Sequence, residues 1–435
     1  MEIMKKININ DYDFEEQLRK AIEFTHLAES DVTVVVKKII TDVKEDGDSA
    51  VEKYSEKFDG EKFNGLEKTI LSEELKKKSL DKITEDQKSA MLEAHKRISF
   101  YHTHQKLNPY SYSDETGSNF SMRVLPMEKV GIYVPGGKAS YPSSVIMNAV
   151  PAVVAGVKEV VMCVPTASGV IPDLVFAAAA ISGVNTIFNV GGAQAIAALA
   201  FGTESIPQVD KIVGPGNAYV AEAKRQVFGS VGIDMIAGPS EILIIADETS
   251  NADWVAMDLF SQAEHDEFAR AILVSTSDAF ISAVHLSIER LLPQMPRKEI
   301  IEKSLNKFGL IIKVDTLNQA CNLSNKIAPE HLELSVDNPA DLVEKIINAG
   351  SIFLGKFSSE SLGDYCAGPN HVLPTSGSAR FSSGLSVYDF LKRTSVISIS
   401  EVGAKSLGKI ASVMARGETL IAHAKSAEFR TRGSN

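Results

Sequence analysis

From Arg123 onward, short β-branched runs alternate with alanine-rich runs of helical length, and few folds accommodate that pattern. Val130–Pro135 is a strand, followed by Gly136-Gly137 and a helix through Ala149–Ala155. Glu159–Pro165 is the next strand, with a helix near Leu174–Ile181. Thr186–Gly191 runs through Gly192-Ala193-Gln194 into a helix at Ala195–Phe201, and Lys211–Asn217 repeats the arrangement. A second set follows, with strands Glu241–Ala246, Arg270–Thr276 and Gly309–Val314 and helices Asn251–His265, Ala279–Leu292 and Leu317–Ile327. Strands separated by helices pair in parallel, because the helix supplies the crossover that parallel pairing needs. The expectation is an α/β protein with two tandem parallel units. Their similar size points to an old duplication, although no direct repeat is visible.

Several of these strands end in glycine-rich turns that open onto helices. Such turns let backbone approach a ligand closely, and helix N-termini attract phosphate. Open α/β sheets bind ligands at the carboxyl ends of their strands. A nucleotide therefore fits, although Gly214-Pro215-Gly216 lacks the third glycine of G-x-G-x-x-G. Ordinary tight turns are the alternative.

The segment up to about Asn119 reads as helical and charged, with apolar residues at three- and four-residue spacing in Val32–Phe58 and Ser72–His104. His95, His102 and His104 in it read as surface residues, and lone His285 as structural. The chain ends in an irregular stretch, Arg380–Lys392, and a helix from Glu401 to about Phe429. The expected divisions are a helical N-terminal region (1–128), a first α/β domain (129–238), a second (239–380) and a C-terminal tail (381–435).

A net charge of −11 argues against nucleic acid as principal partner, since such binders need a basic surface. No apolar run approaches a membrane span, and Met1–Lys6 lacks the features of a signal peptide. Cys163, Cys321 and Cys366 form no C-x-x-C pair and read as buried free thiols, which with the missing leader points to the cytoplasm.

Four places carry chemistry-bearing side chains. Gln262 and His265 lie three apart on an expected helix, so both reach one small object, such as a labile zinc or manganese ion. Such a pair equally fits a solvated helix face. Glu330-His331 follows Pro329 at the start of a strand and offers two adjacent groups able to deprotonate an alcohol and a water. Gly363–Thr375 is punctuated by glycine and proline, holds Asp364 and His371, and has too few apolar positions for a regular element. Glu418 and His423 sit in the last helix.

With these residues in view, the sequence from about residue 10 to 430 resembles the histidinol dehydrogenase family. The motifs are Val130–Gly137, Gly191–Gln194, Val213–Tyr219, Ala237–Glu241, Gln262–His265, Ala328–Glu333 and Asn370–Thr375. The resemblance implies two incomplete Rossmann-like domains, a helical N-terminal part and a C-terminal helical tail exchanged across a homodimer. It implies one Zn2+ per subunit and oxidation of L-histidinol through L-histidinaldehyde to L-histidine with two NAD+, closing histidine biosynthesis. The family's metal ligands fall on Gln262, His265, Asp364 and His423, and its paired bases on Glu330 and His331. Substrate contacts fall on Ser240, Gln262, His265, His331, Asp364, Glu418 and His423, and cofactor contacts on Tyr133, Gln194 and Asn217. In that arrangement Glu418 and His423 serve the partner's site.

Physical chemistry gives reasons for such a set. Two nitrogens and two oxygens leave room on zinc for a chelating amino-imidazole. Two adjacent bases divide a proton abstraction from a water activation. Two rival readings stand beside this one: a related dehydrogenase acting on another amino or hydroxy alcohol, and a metal-binding protein without redox chemistry.

Overall fold

The computed structural model describes residues 3–22, 30–59, 65–136, 141–165 and 170–431. Met1, Glu2 and Gly137 of the sequence reading lie outside them. The chain begins with β1 (Lys5–Asn8), the helices Phe14–Ile22 and Ser30–Asp59, β2 (Lys68–Ile70) and the helices Glu73–Leu80 and Glu85–Thr103. Ser72 and Thr84 cap the last two, Thr84 in a reciprocal pair with Gln87 that satisfies two otherwise orphaned amides. A hairpin of β3 (Tyr110–Ser113) and β4 (Asn119–Pro126) leads into β5 (Lys129–Tyr133), β6 (Glu159–Cys163), β7 (Thr186–Phe188), β8 (Lys211–Val213) and β9 (Gly232–Ile233). The second unit contributes β10 (Glu241–Ala246), β11 (Arg270–Ser275), β12 (Leu310–Lys313), β13 (His331–Ser335) and β14 (Ser351–Leu354). After β15 (Leu391–Ser398), the described chain closes with the helices Glu401–Gly417 and Ile421–Thr431.

Two six-stranded sheets result, ordered β2-β7-β6-β5-β8-β9 and β1-β12-β11-β10-β13-β14. Every pairing in them is parallel except β2 with β7. The central strands explain this: every residue of β10 and β11 is buried, as expected where helices cover both faces. The α/β architecture, the largely helical N-terminal region and the C-terminal helices thus match the sequence expectation.

The N-terminal region also holds strands that its helical periodicity concealed. β1 pairs with β12 and so joins the second sheet, β2 edges the first, and β3 and β4 form a third sheet with β15. Short edge strands bury little and leave only a weak pattern. His102 is fully buried, its Nδ1 2.8 Å from the Ile98 carbonyl, which corrects its reading as a surface residue. Cys163 and Cys321 are buried as expected, whereas Cys366 is partly exposed.

The tail differs from expectation in two ways. The stretch read as irregular, Arg380–Lys392, runs at its end into β15, which pairs antiparallel to β4 along its whole length. The expected single helix is two, broken at Glu418–Leu420, where Thr419 takes a left-handed φ of 64°. Arg416 and Ser412 bond Glu428 across the break, so the helices form an antiparallel hairpin. Ser400 fastens its start by donating to the Thr116 carbonyl at 2.6 Å. The hairpin leaves a row of apolar side chains in solvent, with Val413 73% and Met414 64% exposed.

The segment after Asp364 straps the two units together. Asn370 Nδ2 donates to the Met147 carbonyl of the first unit at 2.6 Å. Further on, Thr375 Oγ1 accepts from Gly238 N and Ser376 N donates to the Glu241 carboxylate. Leu385 and Phe390 enter the first unit's core.

Candidate active site

Glu330 and His331 stand where β13 begins. Ala328, at a φ of 53°, ends the helix Leu317–Ile327 by donating its N–H to the Ser324 carbonyl at 2.7 Å, and Pro329 prevents its continuation. Glu241, the first residue of the adjacent β10, then grips both side chains through its backbone. Its N–H donates to Glu330 Oε2 at 2.9 Å, and its carbonyl lies 3.0 Å from His331 Nδ1. Gly350 packs against the same turn, where an added Cβ would meet the Glu330 carbonyl at 2.5 Å. The pair therefore lies at the amino ends of the second sheet's strands, opposite to the carboxyl-end rule that suits the first.

Two further elements converge on His331, and a third lies close by. Gln262 ends the helix Ala252–Ala263 and is fully buried. Its carboxamide nitrogen, turned towards the available acceptors, donates to the Glu241 carbonyl and to Glu360 Oε1, both at 3.0 Å. His265 lies just beyond that helix, in an exposed turn closed by its N–H to the Gln262 carbonyl at 3.2 Å. Asp364 sits in the last turn of a short helix, Glu360–Tyr365, where a loop was expected. Its Oδ1 lies 3.5 Å from His331 Nε2, and Glu360 Oε1 lies 3.4 Å from His331 Nδ1.

Electrostatics follow from this crowding. Burial alone would lower the His331 pKa, but Glu360, Glu330 and Asp364 outweigh it and hold the imidazole well above its ordinary range. Burial opposes the charge on Asp364 too, yet His331, and then His371 and His265, lower its pKa on balance. Burial pushes the Glu330 carboxyl up to about 8 and the Glu241 carboxyl to about 7.

The residues expected to hold a cofactor lie at the carboxyl ends of the first sheet. Tyr133 ends β5, and its hydroxyl accepts from the Gly192 amide at 3.2 Å. Gln194 lies in the first turn of the helix Gly192–Phe201, 1% exposed, with Nε2 3.5 Å from Ser55 Oγ. Asn217 follows β8 and caps the helix Ala218–Val227 through the amides of Tyr219 and Val220. The turn between is held rigidly. Gly214 has a φ of 113°, and a Cβ there would fall 2.1 Å from the Tyr133 carbonyl. A buried Lys224–Asp234 ion pair clasps the same residue, Lys224 donating to its carbonyl and Asp234 accepting from its amide.

Ser240 directly precedes β10, its carbonyl accepting from the Arg270 amide at 2.9 Å. Glu418 and His423 are exposed on the C-terminal hairpin, Glu418 at the end of one helix and His423 within the other. Sequence reasoning missed Glu241, Glu333 and Glu360, all buried around His331. The period-two run His331-Leu332-Glu333-Leu334-Ser335 carried a signal for Glu333, since it places polar groups on one face of a strand between apolar neighbours.

The donor set suits a cation. His331, Glu360 and Asp364 bring one ligand atom each within 4.8 Å of one another, and among the described residues the buried His331 Nε2 has no hydrogen-bond partner. A parallel α/β scaffold with a buried acid–base pair beside such a cluster is an arrangement of enzymes. Comparison with known proteins specifies which. A sequence profile described as histidinol dehydrogenase matches residues 23–431. The histidinol dehydrogenase of Neisseria gonorrhoeae is 56% identical over 427 residues, covering 98% of this chain and 100% of its own. That of Dechloromonas aromatica is 56% identical over 430 residues, covering 99% of each. The crystal structure of histidinol dehydrogenase from Elizabethkingia anophelis superposes with a TM-score of 0.92 at 35% identity, covering 99% of both chains. The chain belongs to the histidinol dehydrogenase family, a family of NAD-dependent oxidoreductases.

Proposed function

We propose that this enzyme oxidises L-histidinol through L-histidinaldehyde to L-histidine with two NAD+, and that a zinc ion held by Gln262, His265, Asp364 and the partner's counterpart of His423 completes its site. The observation that carries the reading is the buried Glu330-His331 pair, gripped by the Glu241 backbone and surrounded by Gln262, Glu360 and Asp364.

His331 takes the alcohol proton as hydride leaves for the nicotinamide. Glu330, adjacent and anchored through its Oε2, deprotonates the water that attacks the aldehyde carbon, and His331 assists the second hydride transfer. With its Nδ1–H donated to the Glu241 carbonyl, the ring keeps Nε2 as its basic nitrogen, on the Asp364 side. A zinc ion held by these residues would supply positive charge able to orient the amino-imidazole substrate and lower the proton affinity of neighbouring groups. That effect counters the carboxylates that otherwise keep His331 protonated. Ser240 and Glu418 complete the substrate contacts.

Tyr133, Gln194 and Asn217 hold the cofactor. The rigid Gly214 turn and the N-terminus of the Ala218–Val227 helix support this reading, since both favour close approach of a phosphate. The incomplete glycine fingerprint fits a nucleotide exchanged between steps while the aldehyde stays bound.

Glu418 and His423 serve the site of a second subunit in a homodimer. Their exposure and the uncovered apolar row on the hairpin support the exchange, because such a row calls for a covering partner. The proposed divisions remain 1–128, 129–238, 239–380 and 381–435, with β1 docking on the second unit. The enzyme acts in the cytoplasm without nucleic acid or membrane; among the described residues no helix is long and apolar enough to cross a bilayer. NADH formation from L-histidinol, lost on chelation and restored by zinc, is the test. Turnover of simple polyols but not histidinol would favour the related-alcohol reading.

A further inference from the structure

We propose that Glu333 is a positioning residue of the active site: by capping the Glu360–Tyr365 helix it sets Glu360 and Asp364 against His331. The inference rests on the reading of Asp364 as a metal ligand.

Along β13 side chains alternate between faces, so His331, Glu333 and Ser335 share one, and all three are buried. A buried carboxyl in a strand paired on both sides is costly unless its bonds are satisfied. Those of Glu333 reach two elements that carry site residues. Its Oε1 accepts from the Glu360 amide at 2.8 Å. Ser359, the residue placed to cap that helix, makes no side-chain capping bond, so β13 supplies the cap. At six residues the helix is too short to be held by its own hydrogen bonds. Its placement therefore depends on outside contacts, of which this bond fixes the first residue.

From that point the geometry propagates. Glu360 reaches His331 Nδ1 at 3.4 Å and the Gln262 amide at 3.0 Å. Asp364, one turn on along the same face, reaches His331 Nε2 at 3.5 Å. On its other side Glu333 meets Asp258, on the helix Ala252–Ala263 that carries Gln262. Burial, and then the Asp258 charge, hold the Glu333 carboxyl well above the usual range, while burial raises Asp258 to about 6. One Glu333 oxygen is thus kept for the Glu360 amide while the carboxyl meets Asp258. An amide side chain of equal length can do the same; a shorter or apolar one cannot.

The test compares Glu333→Gln, Glu333→Asp and Glu333→Met in the full-length enzyme, with Asp364→Asn as control. Zinc affinity is read by competition with a chromophoric chelator, independently of turnover. Loss of a residue supporting a ligand weakens metal binding by roughly 10–100-fold. That loss is expected for Glu333→Asp and Glu333→Met, with Glu333→Gln within about threefold of the unsubstituted protein. Either of the first two decides, provided it folds. The proposal is overturned if a folded Asp or Met variant binds zinc as tightly as the parent, or if Gln loses as much as they do. Unchanged zinc affinity in Asp364→Asn would instead remove the metal-ligand reading beneath it.

Discussion

His331 Nε2 faces Asp364 Oδ1 across 3.5 Å, a gap too wide for a good hydrogen bond and too narrow for an intervening water. The opposite ring nitrogen is meanwhile committed to the Glu241 carbonyl. The imidazole is thus aimed, with Nε2 held on the Asp364 side of the site.

The two bases should separate kinetically. His331→Asn is expected to depress both the alcohol and the aldehyde half-reactions, by about 10²–10⁴-fold, the usual contribution of a general base. Glu330→Gln should mainly block aldehyde oxidation, measured by supplying L-histidinaldehyde directly. Equal, small losses in both steps for both variants would refute the assignment.

The buried Glu330 carboxyl makes stability depend on pH in a defined direction. Its pKa rises from 4.5 to about 8 on folding, so the folded state holds the proton more tightly than the unfolded one. Stability therefore falls as pH climbs between those values and levels off above the higher. Glu330→Gln, isosteric with the protonated acid, should be no more stable than the parent in acid and more stable in base, by on the order of a few kcal/mol. Denaturant titrations at about pH 5 and about pH 9 would show the gap opening. A gap that stayed constant would contradict the burial argument.

Metal binding should be separable from folding. His265 lies in an exposed turn outside the buried cores, so His265→Asn is expected to lower zinc occupancy and abolish turnover while leaving the helical signal unchanged. Collapse of that signal together with the zinc would make the metal structural.

Shared sites predict complementation. His331→Asn and His423→Ala homodimers should each be inactive, and subunit exchange should recover activity towards about a quarter of wild type. Half of the molecules become mixed, and each mixed dimer holds one intact site. No recovery after verified exchange would place both residues within one chain.

Legibility in the sequence followed the physics of each element. The buried central strands announced themselves through unbroken apolar runs such as Ile242–Ala246, and Pro329 marked the start of β13. Gln262 and Glu330-His331 were visible because neighbours in sequence are neighbours in space. Glu360 was not, since the helix Ala340–Val343 and β14 separate it from His331 in sequence and nothing local records their meeting. The break in the last helix had a local sign in Gly417, outweighed by the continuous helical pattern on either side. His102 was misread because a histidine among charged residues looks solvated, while here the segment around Leu385 covers it.

The pairing of β1 with β12 has a consequence for how the polypeptide is made. Lys5 lies beside Leu310, so β1, once synthesised, finds its partner only after about 300 further residues. At roughly 5–20 residues per second that is a wait on the order of 15–60 s, during which the strand has no neighbour. Leu385 and Phe390 join the first unit's core later still, and the second sheet cannot be completed until Leu354 of β14 has emerged. A gene split between residues 238 and 239 would therefore strand Lys5–Asn8 on the wrong fragment, leaving β12 as an open edge where another chain can add.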